Sequence, residues 1–279
     1  MSVTIAESRA VADAVKRHGA VYQCGTQRRS VGQFRYAVGL AHKGLLGKLH
    51  TLHAEKSPKW VQWYETSLPP EPQPPREVID WDMWLGPAPW RPYNSKIPTR
   101  RFWGGHLDFA GGSITEWGSH TADLCQWAAR ADDTSAVEYE PMPGRDVRAR
   151  YADGTKLIFR GGIGRGTCGV RFEGDEGWIE VDDSGTISVE PRSLLTTEKL
   201  GSGYPADDHV RNFLDCVKSR ALPAAHAEAA HRSITTCHAA NICLRLQRKV
   251  KWDPAAEQFI GDEDANRLRA RALRDPWRL

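Results

Sequence analysis

The sequence "GGSITEWGSHTADLCQW", residues 111–127, places a glutamate, a histidine and an aspartate at the start of an apolar helical pattern. If Ser113 is the N-cap of that helix, steps of about 100° per residue bring Glu116, His120 and Asp123 onto one face. Ser113 and Glu116 also have the spacing of a capping box, so an ordinary solvated helix start would give the same polar stripe. The pattern alone leaves both interpretations open.

Two features favour a functional site over a solvated stripe. The stripe continues into Trp127, and the glycine pair at 111 and 112 would let a substrate or another backbone come close to the helix start. A histidine beside carboxylates can transfer protons near neutral pH, because its unperturbed pKa is about 6.5. We therefore predict that His120 is a general acid/base and that Glu116 lies beside it.

Length and composition exclude several classes of protein. A chain of 279 residues fits one large or two unequal domains, and 38 basic against 35 acidic residues, without a basic run, indicate no nucleic-acid partner. The longest apolar runs fall short of the roughly 20 residues of a membrane span, so no membrane partner is expected. The six cysteines form no C-x-x-C pair and lie in apolar stretches, which favours reduced, buried thiols and a cytoplasmic location. An export signal preceding Met1 would also be compatible with this sequence.

The order of elements predicts the fold class. Thr4 and Glu7 form a capping box that opens a helix ending at Gly19, and "AVYQCG" reads as a strand, so the first part is α/β. Proline-rich residues 68–98 predict a long connector. Short strands with turn signals over 136–189 predict an antiparallel sheet, and two helices follow it. The layout is an α/β fragment followed by an α+β domain with an open, mostly antiparallel sheet.

Eleven tryptophans are many for this length, and several stand in loop-like text such as "DWDMWLGPAPWRPYN". Flat aromatic side chains pack cores and anchor loops, and they also stack on sugar rings. For any single tryptophan the packing role is the favoured interpretation.

The stretch "GGSITEWGSHTADLCQWA" resembles the GG-x-x-x-D-x-G-x-H-x-x-D motif of the Gfo/Idh/MocA oxidoreductases. Further resemblances run in order along nearly the whole chain, in "AVYQCGTQRRS", "DWDMWLGPAPWRPYN", "VRFEGDEGWIEV", "HVRNFLDCVKSR", "HRSITTCHAANICLRL" and "KWDP". The resemblance implies hydride transfer between NAD or NADP and a hydroxyl carbon of a sugar, polyol or related carbohydrate. It also implies a Rossmann domain followed by a substrate domain whose open sheet faces the substrate and often a second subunit, hence a homo-oligomer.

On this resemblance, residues 1–30 correspond to a remnant of the Rossmann domain, a helix and a strand, and residues 31–279 to the substrate-binding and oligomerisation domain. The motif positions fall on Glu116, in place of aspartate, and on His120, with Asp123 in support of the imidazole or the helix. Gln27 and Arg28 would lie near the nicotinamide. "MSVTIAESRAV" resembles the text that follows the family's Glu-Lys-Pro motif, so neither the lysine of that motif nor the Gly-rich phosphate loop has a counterpart in this sequence.

"GRGTCG", residues 164–169, satisfies G-x-G-x-x-G, but it lies between strand-like runs and opens no helix, so a bend is the expected role. Four more residues precede the motif closely enough to bind substrate: Arg100, Arg101, Trp103 and His106. Two alternatives stay open. One is a metal-dependent hydrolase or isomerase that uses His106, Glu116 and His120, whereas the favoured interpretation needs no metal. The other is a non-catalytic sugar-binding or dimerisation module.

Overall fold

A computed structural model describes residues 1–56, 68–195 and 206–279, with the side chains of Arg101, Ala206 and Asp207 left out. The helices are α1 (Ile5–His18), α2 (Gly32–His42), α3 (Trp81–Leu85), α4 (Arg100–Trp103), α5 (Gly118–Ala128), α6 (Ala206–Ser219), α7 (Ala227–Leu246) and α8 (Glu263–Arg267). The strands are β1 (Leu49–Glu55), β2 (Glu138–Met142), β3 (Asp146–Arg150), β4 (Lys156–Arg160), β5 (Val170–Gly174), β6 (Gly177–Val181), β7 (Ile187–Glu190), β8 (Val250–Asp253) and β9 (Gln258–Phe259). Among the described residues, none of the helices is both long and apolar enough to cross a bilayer.

The strands form one nine-stranded sheet in the order β7-β6-β5-β1-β4-β3-β2-β8-β9. β1 and β4 are parallel, and the other neighbouring pairs are antiparallel. The predicted fold class, mixed α and β with an open and mostly antiparallel sheet, is confirmed. The hairpin between β3 and β4 turns at Asp153 and Gly154, where Gly154 has φ +92° and Asp153 accepts a hydrogen bond from the backbone N–H of Thr155 at 2.9 Å.

One face of the sheet carries the core and the other stays polar. α5 packs against β1 and α7, and α7 packs against β2 and α1, which buries the apolar side of each strand. On β3 the residues alternate, with Val147 and Ala149 buried and Arg148 and Arg150 exposed. The exposed arginines pair with glutamates directly across on β2. The open face is therefore built from cross-strand ion pairs.

The N-terminal capping box is confirmed, because Thr4 caps α1 by accepting from the backbone N–H of Glu7 at 3.3 Å and Gly19 ends the helix with φ +56°. Residues 20–24, predicted to be a strand, are not one. A strand needs a neighbour for its backbone groups, and among the described residues this segment has no strand beside it. Its Cys24 N–H donates instead to Ala225 O at 2.9 Å.

Candidate functional site

The helix of the 111–127 stretch begins later than the sequence predicts. α5 starts at Gly118, and Ser113 does not cap it, because residues 113–117 form turns in which Gly118 N–H donates to Ser113 O at 2.9 Å. Gly111 and Gly112 both have positive φ, +81° and +82°, which permits this tight approach. A Cβ on Gly111 would lie 2.3 Å from Thr115 Oγ1. The glycine pair therefore serves the local turn.

Glu116 and His120 lie in the last turn before α5 and in its first turn. Glu116 is 14% exposed, and its Oε1 accepts from Arg100 at 3.3 Å. The other oxygen, Oε2, is buried without a hydrogen-bond partner among the described residues, and so is Nδ1 of His120. Burial raises the pKa of Glu116, opposed by Arg100. Buried polar atoms without partners, such as these two, are the kind of exception that a ligand would satisfy.

The surroundings of His120 keep its imidazole neutral. Burial, reinforced by the positive charge of Arg28 and opposed by Asp123, lowers its pKa to about 4. The ring lies 5.6 Å from the ring of Trp117, at an interplanar angle of 41°. Neither His120 nor Glu116 is bathed in bulk water, so both remain candidates for proton transfer or substrate binding.

Arg100 contacts both Glu116 and Trp117. Its guanidinium carbon is 5.2 Å from the Trp117 ring and its Nη2 reaches Glu116. The predicted contact of Arg100 with substrate is compatible with this position. Trp103 is half-buried at the end of α4. The side chain of Arg101, the third substrate-binding prediction on α4, lies outside the described residues.

The predicted role of His106 in substrate or metal binding is not supported. Its side chain is buried, its Nε2 lies 2.9 Å from Nη1 of Arg91, and its ring packs between Phe102 and Phe109. Arg91 also pairs with Asp108, so His106 belongs to a cluster of side chains that contact one another. Within residues 1–56, 68–195 and 206–279 the structure shows no group of three His, Cys, Asp or Glu side chains able to hold a metal. His106, Glu116 and His120, the ligands that the metal-dependent alternative requires, do not form such a group.

Asp123 does not contact the imidazole through a hydrogen bond. Its carboxylate accepts from Nε and Nη2 of Arg29 at 2.6 and 2.8 Å and from the Ser233 hydroxyl at 2.8 Å. Arg29 follows Arg28 in a short 3-10 turn, Gln27–Ser30. The described geometry thus supports the second half of the prediction, in which Asp123 holds the helix in place, and not the first, in which it holds the imidazole.

The resemblance predicts that Gln27 and Arg28 lie near the cofactor. Arg28 and its neighbour Arg29 are both buried. Arg28 pairs with Asp183 and lies 5.0 Å from the Phe34 ring. Asp183 also accepts from the backbone N–H of Thr167 at 3.2 Å. The buried charge of Arg28 therefore ties the turn to the connections after β4 and β6.

Sequence reasoning missed Asp183 and Glu55. Glu55 ends β1, where its carboxylate accepts the backbone N–H groups of Gly162 and Ile163, both at 3.1 Å. Its carbonyl accepts from the Thr121 hydroxyl at 2.8 Å, which fixes the first turn of α5 to the sheet. Lys56 is buried, and its Nζ lies 2.9 Å from Oδ1 of Asp146. The adjacent charged residues Glu55 and Lys56 at the end of β1 were the sequence signal that could have pointed to these contacts.

The segment "GRGTCG" is a bend, as expected. Gly164 and Gly166 have positive φ, and β5 follows directly at Val170, so no helix N-terminus is offered to a phosphate. A Cβ on Gly166 would lie 2.3 Å from the Cβ of Asp183. A carboxylate so close would repel a pyrophosphate, so this loop does not fit one.

Comparisons with known proteins agree on the family. The family model for the C-terminal alpha/beta domain of the Gfo/Idh/MocA oxidoreductases matches residues 40–279, inside the predicted substrate domain. Among curated proteins, none matches this sequence.

Solved structures share the fold at low sequence identity. An aldose-aldose oxidoreductase from Caulobacter crescentus, complexed with glycerol, is 14% identical with a TM-score of 0.58, covering 90% of this chain and 70% of that one. The WlbA dehydrogenase from Bordetella pertussis, in complex with NADH and UDP-GlcNAcA, is 13% identical with a TM-score of 0.55 over 91% and 70%. A putative myo-inositol dehydrogenase from Sinorhizobium meliloti is 13% identical with a TM-score of 0.52 over 90% and 71%. The motif, the sheet and the family match over 240 of the 279 residues together show that this chain belongs to the Gfo/Idh/MocA oxidoreductase family.

Proposed function

We propose that this chain carries the substrate side of an NAD(P)-dependent oxidoreductase that acts on a hydroxyl carbon of a sugar, polyol or related carbohydrate. The observation that carries the proposal is that two side-chain atoms four residues apart in the sequence, Glu116 Oε2 and His120 Nδ1, are each buried without a hydrogen-bond partner among the described residues. A substrate hydroxyl is both a donor and an acceptor, so it can satisfy such atoms without adding a charge. The solved relatives bound to glycerol and to a nucleotide sugar support a hydroxyl-rich substrate.

In this proposal the neutral imidazole of His120 accepts the hydroxyl proton, and Glu116 orients the substrate through a second hydroxyl. A low pKa favours the neutral form that a base requires, but it also makes the base weak. Proton transfer then has to accompany departure of the hydride, since the hydroxyl alone is a far weaker acid. A bound nicotinamide would supply the hydride acceptor.

The described residues fit only one end of that cofactor. Gln23 Oε1 and Thr26 Oγ1 are buried without partners in the described structure, next to the turn that holds Gln27 and Arg28. These atoms suit an amide such as the nicotinamide carboxamide. A pyrophosphate site has no counterpart in the described residues.

Residues 1–30 are proposed to belong with the dinucleotide-binding part of the fold, as the resemblance implies. Residues 20–22 support this, because they line a cavity of about 1000 Å³ together with α1, residues 220–223 and the start of α7. A homo-oligomer through the open face of the sheet also stays a proposal. Sedimentation velocity at two salt concentrations tests it, since ion pairs on that face weaken with salt.

The test compares His120→Asn, Glu116→Gln and the matched control Ser119→Ala, whose hydroxyl bonds only to Glu116 O within the described structure. Purified chain is assayed with NAD and NADP on a panel of aldoses and inositols, and sugar binding is measured separately by calorimetry. We expect His120→Asn to lower kcat by about 100-fold or more, Glu116→Gln to raise KM, and Ser119→Ala to change neither.

Calorimetry separates the dehydrogenase from the other candidate, a non-catalytic sugar-binding module. Sugar binding that depends on Glu116 and His120 but occurs without any dinucleotide binding would select the module. Sugar binding or turnover unchanged in both variants would contradict the placement of the site.

A further inference from the structure

A second pocket lies away from Glu116 and His120, on the proline-rich connector. It has a volume of about 350 Å³ and is lined by Gln73, Arg76, Asp80, Trp81, Asp82, Met83 and Trp90. This volume is at the lower end of the range in which proteins hold small molecules, about 300 to 1000 Å³. The size excludes a dinucleotide and suits one or two sugar rings.

Trp90 is the unusual member of this pocket. It is 64% exposed, whereas Trp81 at the pocket floor is 2% exposed and stacked on Trp84 at a centroid distance of 5.0 Å. An indole with this exposed fraction contributes little apolar burial to the core. The tryptophans nearby show the packing role, and Trp90 departs from it.

The exposed indole stands on a rigid support. Pro89 and Pro92 flank Trp90 and its neighbour Arg91, and proline fixes the backbone φ on both sides. The carbonyl of Arg91 accepts from Trp81 Nε1 at 2.9 Å, and the Arg91 side chain is held by Asp108. Little conformational entropy is therefore lost when a ligand stacks on Trp90.

The polar groups that line the pocket beside the indole can form hydrogen bonds with the hydroxyls of a ligand. Asp80 and Asp82 contribute carboxylates whose charges are matched by Arg76 at 2.7 Å and by Arg274. Gln73 adds an exposed amide. A flat apolar face beside neutral amide and charge-balanced carboxylate groups matches a sugar ring, which has an apolar C–H face and an equatorial rim of hydroxyls.

We propose that this pocket binds a neutral pyranose, with one face of the sugar ring stacked on Trp90 and its hydroxyls bonded to Gln73 and Asp82. The site is separate from the Glu116 and His120 pair and does not depend on the proposed oxidoreductase function. The sugar comes either as a free monosaccharide or as the end of an oligosaccharide. The affinity expected for so small a contact is about 1 mM.

The experiment is saturation-transfer NMR on the full chain without dinucleotide, using methyl glucoside, methyl galactoside and cellobiose as probes. We expect transfer to the ring C–H protons of at least one probe. Trp90→Ala should weaken that binding about tenfold, and Trp90→Phe should keep part of it because a ring face remains. Gln73→Ala should weaken it without affecting folding, since the side chain is exposed.

Two controls make the result specific. Val78→Ala changes an apolar side chain that is 74% exposed in the same connector but does not line the pocket, and it should leave binding unchanged. His120→Asn should leave the part of the transfer that is lost in Trp90→Ala unchanged, which separates this site from the proposed active site. Stronger transfer to cellobiose than to the monosaccharides would identify an oligosaccharide end as the ligand.

The proposal is overturned if no probe shows transfer, or if Trp90→Ala binds the probes as the native chain does. It is also overturned if Trp90→Ala changes the sedimentation coefficient while sugars have no effect. In that case a second copy of the chain, and not a sugar, covers Trp90.

Discussion

Replacing Asp123 by asparagine tests whether this carboxylate is the anchor of α5. Asp123 is 1% exposed and shares Arg29 with Asp132, which is 34% exposed. Asparagine keeps the size and one acceptor oxygen, but it removes the charge and turns an N–H group toward the guanidinium. Because Arg29 is itself buried, the variant leaves a cation with half of its compensation.

The expected loss follows from these contacts. Breaking one partner of a buried ion pair costs about 3 to 5 kcal/mol, and we expect about 3 kcal/mol here because Asp132 remains bound to Arg29. The matched control, Asp132→Asn, touches the same guanidinium from a half-exposed position and should cost about 1 kcal/mol or less.

Urea unfolding followed by circular dichroism measures both variants. With a slope of about 3 kcal/mol per molar urea, Asp123→Asn should lower the midpoint by about 1 M, and Asp132→Asn by about a third of that. Equal midpoints for the two variants would refute the reasoning, since the argument depends on burial and not on the number of hydrogen bonds.

Two further predictions concern pH and backbone packing. Burial lowers the pKa of His238 to about 3, so its contribution to stability is complete above the unfolded pKa of about 6.5 and is lost as the pH falls toward 3. The free energy of unfolding should therefore drop by about 2 kcal/mol more between pH 7.5 and pH 5 in the native chain than in His238→Gln, and parallel pH profiles would contradict this. Gly39 in α2 has open space at its Cβ position, so Gly39→Ala should stabilise by about 0.5 to 1 kcal/mol. Gly174→Ala would place a Cβ 2.1 Å from Leu46 O and should destabilise by about 1 to 3 kcal/mol, and thermal melts that rank the two alanine variants in the opposite order would show that the packing is misjudged.

Much of the fold could be predicted from the sequence because its signals are local. A capping box, a glycine stop and an Asp-Gly turn each specify a few consecutive residues, and α1 and the hairpin between β3 and β4 follow from them. The predicted strand at 20–24 fails for a non-local reason. Its apolar composition suits a strand. A strand also needs backbone hydrogen bonds to an adjacent strand, and the local sequence does not reveal whether one is present.

In the candidate site too, residues close in sequence could be predicted, whereas contacts between distant residues could not. Glu116 and His120 are close in sequence, and both are partly buried with an unpartnered atom in the described structure, although the helix begins at Gly118 and not beside Ser113. Arg29 and Asp123 are 94 residues apart, and their ion pair could not be derived from spacing. The contact of His106 with Arg91, 15 residues away, could likewise not be derived from spacing.

On α5, the residues that hold the helix in place differ from the residue proposed to take part in the chemistry. Thr121 is tied to the sheet through the carbonyl of Glu55, and Asp123 is tied to Arg29 and to α7 through Ser233. His120, which directly precedes Thr121, keeps Nδ1 without a partner in the described structure. The buried side of α5 thus fixes the imidazole in place without satisfying it. A group held rigidly but left unsatisfied is what a binding or proton-transfer site requires, since the ligand then meets a preorganised atom and not one that must first break an internal bond.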